Sequence, residues 1–310
     1  MKLRLWLIPI VLLAGCGLGA SQGGRLAIST YYDDNWEVVV VDLDRDAAVQ
    51  LTRNMAYDFE PAWSPDGTRI AWTSDYLEGV ITNVEVPLEG GGSRIEEKEE
   101  TGDRDILISK SDGTGALRLG LPGVNDEQPA WSPDGTKLAF VSERSGAVNI
   151  WVMDRDGENA YQLSESPKED WMPAWSPDGS TIAFTSLQTG TWEINLVDSD
   201  GGNLRQVTHS ETGMDNWGPV WSPDGNRIAF ARSVSESWEV FTMSVAGGDV
   251  SRLTDRPGTD FEPVWSPDGN TIAFASDRGG KIAVYLMDAD GGEIEKLGVV
   301  GIPSDWTAAP

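Results

Sequence analysis

The chain has 310 residues, 39% of them hydrophobic, with 35 Gly and 17 Pro, a length that one large all-β architecture can use whole. Its charge is lopsided: 23 Lys and Arg stand against 50 Asp and Glu, a formal net charge of -27, so the surface repels DNA, RNA and anionic lipid. With a single Cys and a single His, an internal disulfide and a His/Cys zinc site are both excluded.

At the N-terminus Lys2 and Arg4 precede an apolar run, Leu5 to Leu13, too short for a comfortable membrane span; residues 1–15 read as an export signal. The run ends in Leu13-Ala14-Gly15-Cys16, which resembles the bacterial lipobox. That resemblance implies that Cys16 is lipidated and opens the mature chain, with the lipid anchor as its only membrane contact. Gly17 after the cysteine implies, in a Gram-negative envelope, no retention at the inner membrane. The expected location is therefore the cell envelope or periplasm, on the outer side of the cytoplasmic membrane or on the outer membrane. Residues 16–24 read as a Gly-rich tether of roughly 15–18 Å.

Three strand-like segments follow, Arg25 to Thr30, Trp36 to Asp42 and Val49 to Thr52. Then Trp-Ser-Pro-Asp-Gly occurs five times, starting at Trp63, Trp131, Trp175, Trp221 and Trp265, with intervals of 68, 44, 46 and 44 residues. Each copy has Pro two residues before the Trp, and each is followed by an apolar strand, a second strand ending near a Gly turn (Asp-Gly in all but the fourth copy), and a short third strand. In Ser-Pro-Asp-Gly the Pro presets φ and the Gly accepts the left-handed conformation that closes a hairpin. Short strands at this spacing make a four-stranded antiparallel sheet per repeat, and such sheets bury their faces only by stacking radially on one another. The repeated Trp is then a wedge between blades. The N-terminal segments supply three strands of one blade, and Ser304-Asp305-Trp306-Thr307 supplies the fourth. The expected fold is all-β: a six-bladed propeller over residues 25–310, closed by N-terminal strands plus one C-terminal strand.

The five Pro-x-Trp-Ser-Pro-Asp-Gly copies resemble the propeller repeats of the TolB family over nearly the whole chain after the tether. TolB itself carries an α/β domain ahead of its propeller, and the expectation here is a lipoprotein without that domain. Propellers of this family bind partner protein segments at the central channel, which implies a protein or peptide partner for this one.

With strands lettered A to D outward from the axis, the D–A loops define a top face and the Trp-Ser-Pro-Asp-Gly turns a bottom face. Arg25 and Pro310 are expected at the bottom, facing the membrane. The top-face loops carry Asp58, Asp126, Asp170 and Asp260 three residues before the Pro, with Asn216 at the same place in the fourth copy. Glu60, Glu127, Glu169, Asp215 and Glu262 are close by. Two readings stay open for the five-membered set: an acidic channel mouth that receives a cation or a basic peptide segment, or Asx-type bonds within each loop. The aromatic column Phe59, Trp171, Trp217 and Phe261 is expected between blades; Trp36, Trp192 and Trp238 fit either packing or a contact surface.

The long first interval holds an insertion, residues 76–104, on the top face, read either as a hairpin or as a charged loop. His209, in a polar loop, has no partner set for catalysis or zinc; the Gly-x-Ser-x-Gly run at Gly19 to Gly23 lies in the tether, with no strand-to-helix turn to make it a nucleophile elbow, and no phosphate loop exists. Asp154-Arg-Asp-Gly157, Asp198-Ser-Asp-Gly201 and Asp288-Ala-Asp-Gly291 read as hairpin turns, too short for an EF-hand, so no catalytic residue, metal site or cofactor is assigned; calcium is the one ion these acids could take. The sequence thus points to a monomeric, non-enzymatic binding protein. The alternatives are a carbohydrate-active enzyme using channel carboxylates and a structural cell-wall lipoprotein.

Overall fold

The computed structural model describes residues 23–308 apart from 33–34, 76–80, 88–92, 100–102, 212, 247 and 256. Cys16, the export signal, most of the tether and Pro310 lie outside the described residues. Six four-stranded antiparallel sheets make up the framework, with no helix among the described residues. Blade 2 runs Asp58–Trp63, Arg69–Ser74, Asp105–Lys110 and Leu117–Arg118 from A to D. Blades 3 to 6 repeat this, with A strands Asp126–Trp131, Asp170–Trp175, Asn216–Trp221 and Asp260–Trp265.

Blade 1 is composite. Ile302–Thr307 pairs antiparallel with Arg25–Tyr32, setting Trp306 opposite Leu26 and Thr307 opposite Arg25, and Asn35–Asp42 and Ala47–Gln50 complete the sheet. The ring is therefore closed by the two ends of the chain, and the open edge that invites strand addition is removed. Arg25 donates from Nη2 to the carbonyl of Gly67 at 2.7 Å, which fixes the start of the ring at the bottom-face turns.

Packing follows from radial stacking. Six buried apolar clusters are formed, and each draws on two adjacent blades. Strand B presents the largest members, Phe140, Phe184, Phe230 and Phe274, all fully buried. The motif Trp residues wedge as expected: Trp131 packs with Ala62, Ile106 and Ile108 of the preceding blade, and its indole N–H donates to the Ala62 carbonyl at 3.1 Å. Trp221 and Trp265 donate likewise to Ala174 and Val220.

The hairpin turns are built as their residues require. Ser64 Oγ donates to Asp66 at 2.6 Å and accepts from the Arg69 N–H at 2.9 Å, while Gly67 takes a φ of 64°. Between strands B and C of blade 2, Ile81–Pro87 pairs with Ser93–Glu99 as a separate two-stranded sheet. Of the two readings of the insertion, the hairpin is the one formed.

Candidate functional site: an axial funnel and channel

The site is set by an irregularity common to blades 2 to 6. In blade 2, Phe59 faces Thr73 and Ala62 faces Ala71, so Glu60 and Pro61 together oppose Trp72 in a bulge. The pairing shifts at the same place in blades 3 to 6. The bulged residue has positive φ each time: 54° at Glu60, 57° at Gln128 and Met172, 62° at Gly218 and 48° at Glu262. The Pro that follows each one already disfavours the right-handed helical region.

In blades 2 to 5 the bulge N–H ties the blade to its predecessor. Glu60 donates to Ser29 Oγ at 2.9 Å, Gln128 to Thr73 Oγ1 at 2.9 Å, and Gly218 to Thr185 Oγ1 at 3.2 Å. In blade 3 the equivalent position is Val141, which has no hydroxyl, and Met172 donates instead to Gln128 Oε1 at 2.9 Å. These four bonds hold the left-handed residue in place in blades 2 to 5, which offsets the strain of the non-glycine residues there.

Around the axis the bulge positions run Glu60, Gln128, Met172, Gly218 and Glu262, with Ser304 of blade 1 completing the circle. They line an axial cavity of about 400 Å³, floored by Pro and Trp of the repeated motif and by Asp305. Above it, on the top face, opens a funnel of about 540 Å³ walled by Tyr31, Trp36, Tyr57, Phe59 and Phe261 and sharing Glu60, Met172, Glu262 and Ser304 with the channel.

Three carboxylates meet this axis. Burial pushes Glu60 up to about 7, against the opposing hydrogen bonds from Gln128 Nε2 (2.9 Å) and Thr73 Oγ1 (3.2 Å). Glu262 rises to about 8, through burial and then the nearby charge of Glu60, and among the described residues no hydrogen bond reaches it. Asp305 rises to about 6 by burial although it accepts the N–H groups of Trp63 and Trp306, both at 2.7 Å. The Trp63 bond crosses from blade 2 to the closing strand.

Asp58, Asp126, Asp170, Asn216 and Asp260 lie elsewhere. All five are buried inside their own blades, and none lines the channel or the funnel. Asp58 accepts from the Trp72 indole at 3.1 Å and from Asn54 Nδ2 at 2.8 Å. Asp126 takes Arg144 on both oxygens at 2.8 Å and the Leu121 N–H at 3.0 Å. Asp170 accepts from Ser164 Oγ at 2.6 Å, and Asp260 from Arg278 Nη2 at 2.6 Å. Asn216 donates to Glu193 and Ser210 and accepts from Arg232 Nε. The first residue of strand A points back into the sheet and anchors its loop; two positions later the bulge redirects the chain to the axis. Among the top-loop acids, those that face the axis are accordingly Glu60 and Glu262, which the sequence placed only near the site. A signal for them did exist: the residue before each motif Pro is the one that changes, Glu, Gln, Met, Gly, Glu, inside an otherwise repeated frame.

The aromatic column divides. Phe59 and Phe261 wall the funnel, Trp171 packs against the blade 3–4 cluster, and Trp217 meets Trp192 edge-on at 5.0 Å. His209 approaches Gln206 Nε2 through Nδ1 at 3.1 Å, away from the axis. Among the described residues no group of three or more His, Cys, Asp or Glu is gathered as a metal site.

Comparison with known proteins places this geometry. The sequence is similar to the TolB homolog of Chlorobium luteolum, 34% identical over 129 residues that cover 36% of this chain and 29% of that protein. It is similar to the Tol-Pal system protein TolB of Bordetella parapertussis, 34% identical over 144 residues, covering 39% of this chain and 32% of that one. The chain thus spans about a third of the length of these relatives. In structure it resembles TolB from Acinetobacter baumannii, with a TM-score of 0.72 and 20% identity over 92% of this chain and 67% of the other. An oligogalacturonate lyase in complex with manganese shares the fold alone, at a TM-score of 0.59 and 16% identity over 88% of this chain and 73% of the other. The profile of the TolB beta propeller domain matches residues 106–218 and 210–306, which together with the six closed blades shows that this chain belongs to that family.

Proposed function

We propose that this propeller is a non-enzymatic component of the bacterial cell envelope that binds a segment of a protein partner in its top-face funnel. The observation that carries the reading is a funnel with an aromatic wall, continuous with the axial cavity and opening on the face opposite the chain's entry at Arg25. Aromatic side chains give large contact area at small entropic cost, and exposed Tyr31 and Tyr57 at the rim are free to meet a partner. The relatives named as Tol-Pal system proteins support an envelope assembly of that kind. In this reading Cys16 carries the lipid, the bottom face points to the membrane, and the propeller acts as a monomer with no cofactor. A net charge of -27 favours a basic segment in the partner.

The carbohydrate-active alternative has one observation in its favour, two axial carboxylates held above the usual range beside aromatic rings. Site-specific photocrosslinking in intact cells separates the readings. A crosslinker in place of Tyr57 is expected to capture a protein, while one in place of Asn226, on the opposite face, captures none. No protein adduct at Tyr57, or the same adducts from both positions, overturns the proposal.

A further inference from the structure

We infer that the funnel recognises one basic side chain, lysine or arginine, of the bound segment and seats it between Glu60 and Glu262. The inference rests on the reading of the funnel as a segment-binding site and adds the chemistry that selects the segment.

The six axial positions are unequal. Acids occur only in blades 2 and 6, on either side of the closing strand, and the position between them is the small Ser304. Glu60 has two hydrogen-bond donors, but Glu262 has none among the described residues. Beside Glu262 in the ring, and across from Glu60, Gly218 contributes no side chain. A Cβ placed there would stand 3.5 Å from Glu262 Oε2 and from the Met172 methyl, so the space over Gly218 is bordered by a carboxylate and a thioether. Besides Asp305 on the floor, the channel therefore holds two glutamates facing one lumen, and among the described residues no Lys or Arg forms an ion pair with either.

The wall above them already carries a cation. Arg104 lines the funnel with its guanidinium 5.5 Å above the Phe59 ring, held from outside by Glu127 at 2.8 Å. The same ring faces, with Phe261 and Tyr57 around them, suit a second cation passing inward. An acidic segment would add a further carboxylate to a floor that already disfavours ionised ones. An apolar one would strip water from Glu262 without returning a partner. A lysine or arginine returns a charge-assisted bond to both carboxylates in a place where water screens little.

Display selection on the full chain tests this. A random twelve-residue library is panned, and clones are assigned to the funnel by loss of binding to Tyr57→Ala and Phe261→Ala variants. Funnel clones are expected to share a Lys or Arg. A synthetic peptide of the strongest clone should lose about tenfold in affinity when that residue becomes norleucine, and about tenfold again, not additively, on Glu262→Gln. The peptide-side replacement decides the matter should Glu262→Gln fail to fold. Funnel clones without a basic residue, or with affinity unchanged by both replacements, overturn the inference and leave the segment-binding reading standing. A selection that yields no funnel clones overturns both.

Discussion

The two faces of the ring treat the same functional group in opposite ways. At the bottom-face turns, Asp66, Asp178 and Asp224 are held at about 2, first by the preceding Ser hydroxyl and then by backbone and side-chain donors two residues on. On the axis, burial lifts Glu60 to about 7 and Glu262 to about 8. The turn acids are wrapped by donors within one hairpin and remain open to water. The axial acids are enclosed by six blades that supply few donors. Acidity in this protein therefore follows ring position, and the repeated part of the motif yields permanent charge while its variable residue yields groups that titrate near neutrality.

The comparison can be broken first at the stacking that both faces depend on. Trp131→Ala removes a wedge shared by blades 2 and 3 together with its bond to Ala62, and should cost about 4 kcal/mol in denaturant unfolding. A loss under 1 kcal/mol would mean the blades do not rely on the Trp. Asp126→Ala should cost about 3 kcal/mol, because it leaves Arg144 buried without its carboxylate. Asp170→Asn, which keeps an acceptor for Ser164, should cost about 1 kcal/mol. Equal losses at the two sites would contradict the assignment of Asp126 to an ion pair.

The axial acids give a pH dependence of definite sign. Folded Glu60 and Glu262 retain protons at pH values where unfolded glutamates, at 4.5, have lost them, so stability falls as pH rises from about 4.5 to about 8. Glu262→Gln should add about 1–2 kcal/mol at pH 8.5 and nothing at pH 5, flattening that slope. A parallel shift at both pH values would show that Glu262 does not titrate in this range. The turn acids behave oppositely: their contribution is present above about 4 and is lost as pH falls through about 2. Asp178→Ala should accordingly cost about 1 kcal/mol at pH 7, and the difference from the parent should vanish in strong acid.

What the sequence made legible was local and repeated. Ser-Pro-Asp-Gly specifies its own hairpin through Pro, Ser and Gly, and five copies at near-constant spacing specify sheets that must stack. Trp306, set one repeat beyond Trp265, marked the strand that closes the ring on Leu26. Asp58 and its four counterparts were legible as a set and pointed to the top loops, but their direction was not, because strand alternation alone does not say which side meets the axis.

Tertiary structure decided that question. The bulge at Glu60 and its equivalents inverts φ for one residue, anchored in blades 2 to 5 by a hydroxyl or amide of the neighbouring blade, and only stacked blades bring that neighbour into reach. The same closure gathers residues from positions 60, 262 and 304 around one lumen and removes most of their water. Turn chemistry acts over four or five residues and can be read from the chain. Which carboxylates face the lumen, and how strongly they hold their protons, depends on side chains hundreds of residues apart, and these meet only once six sheets have stacked.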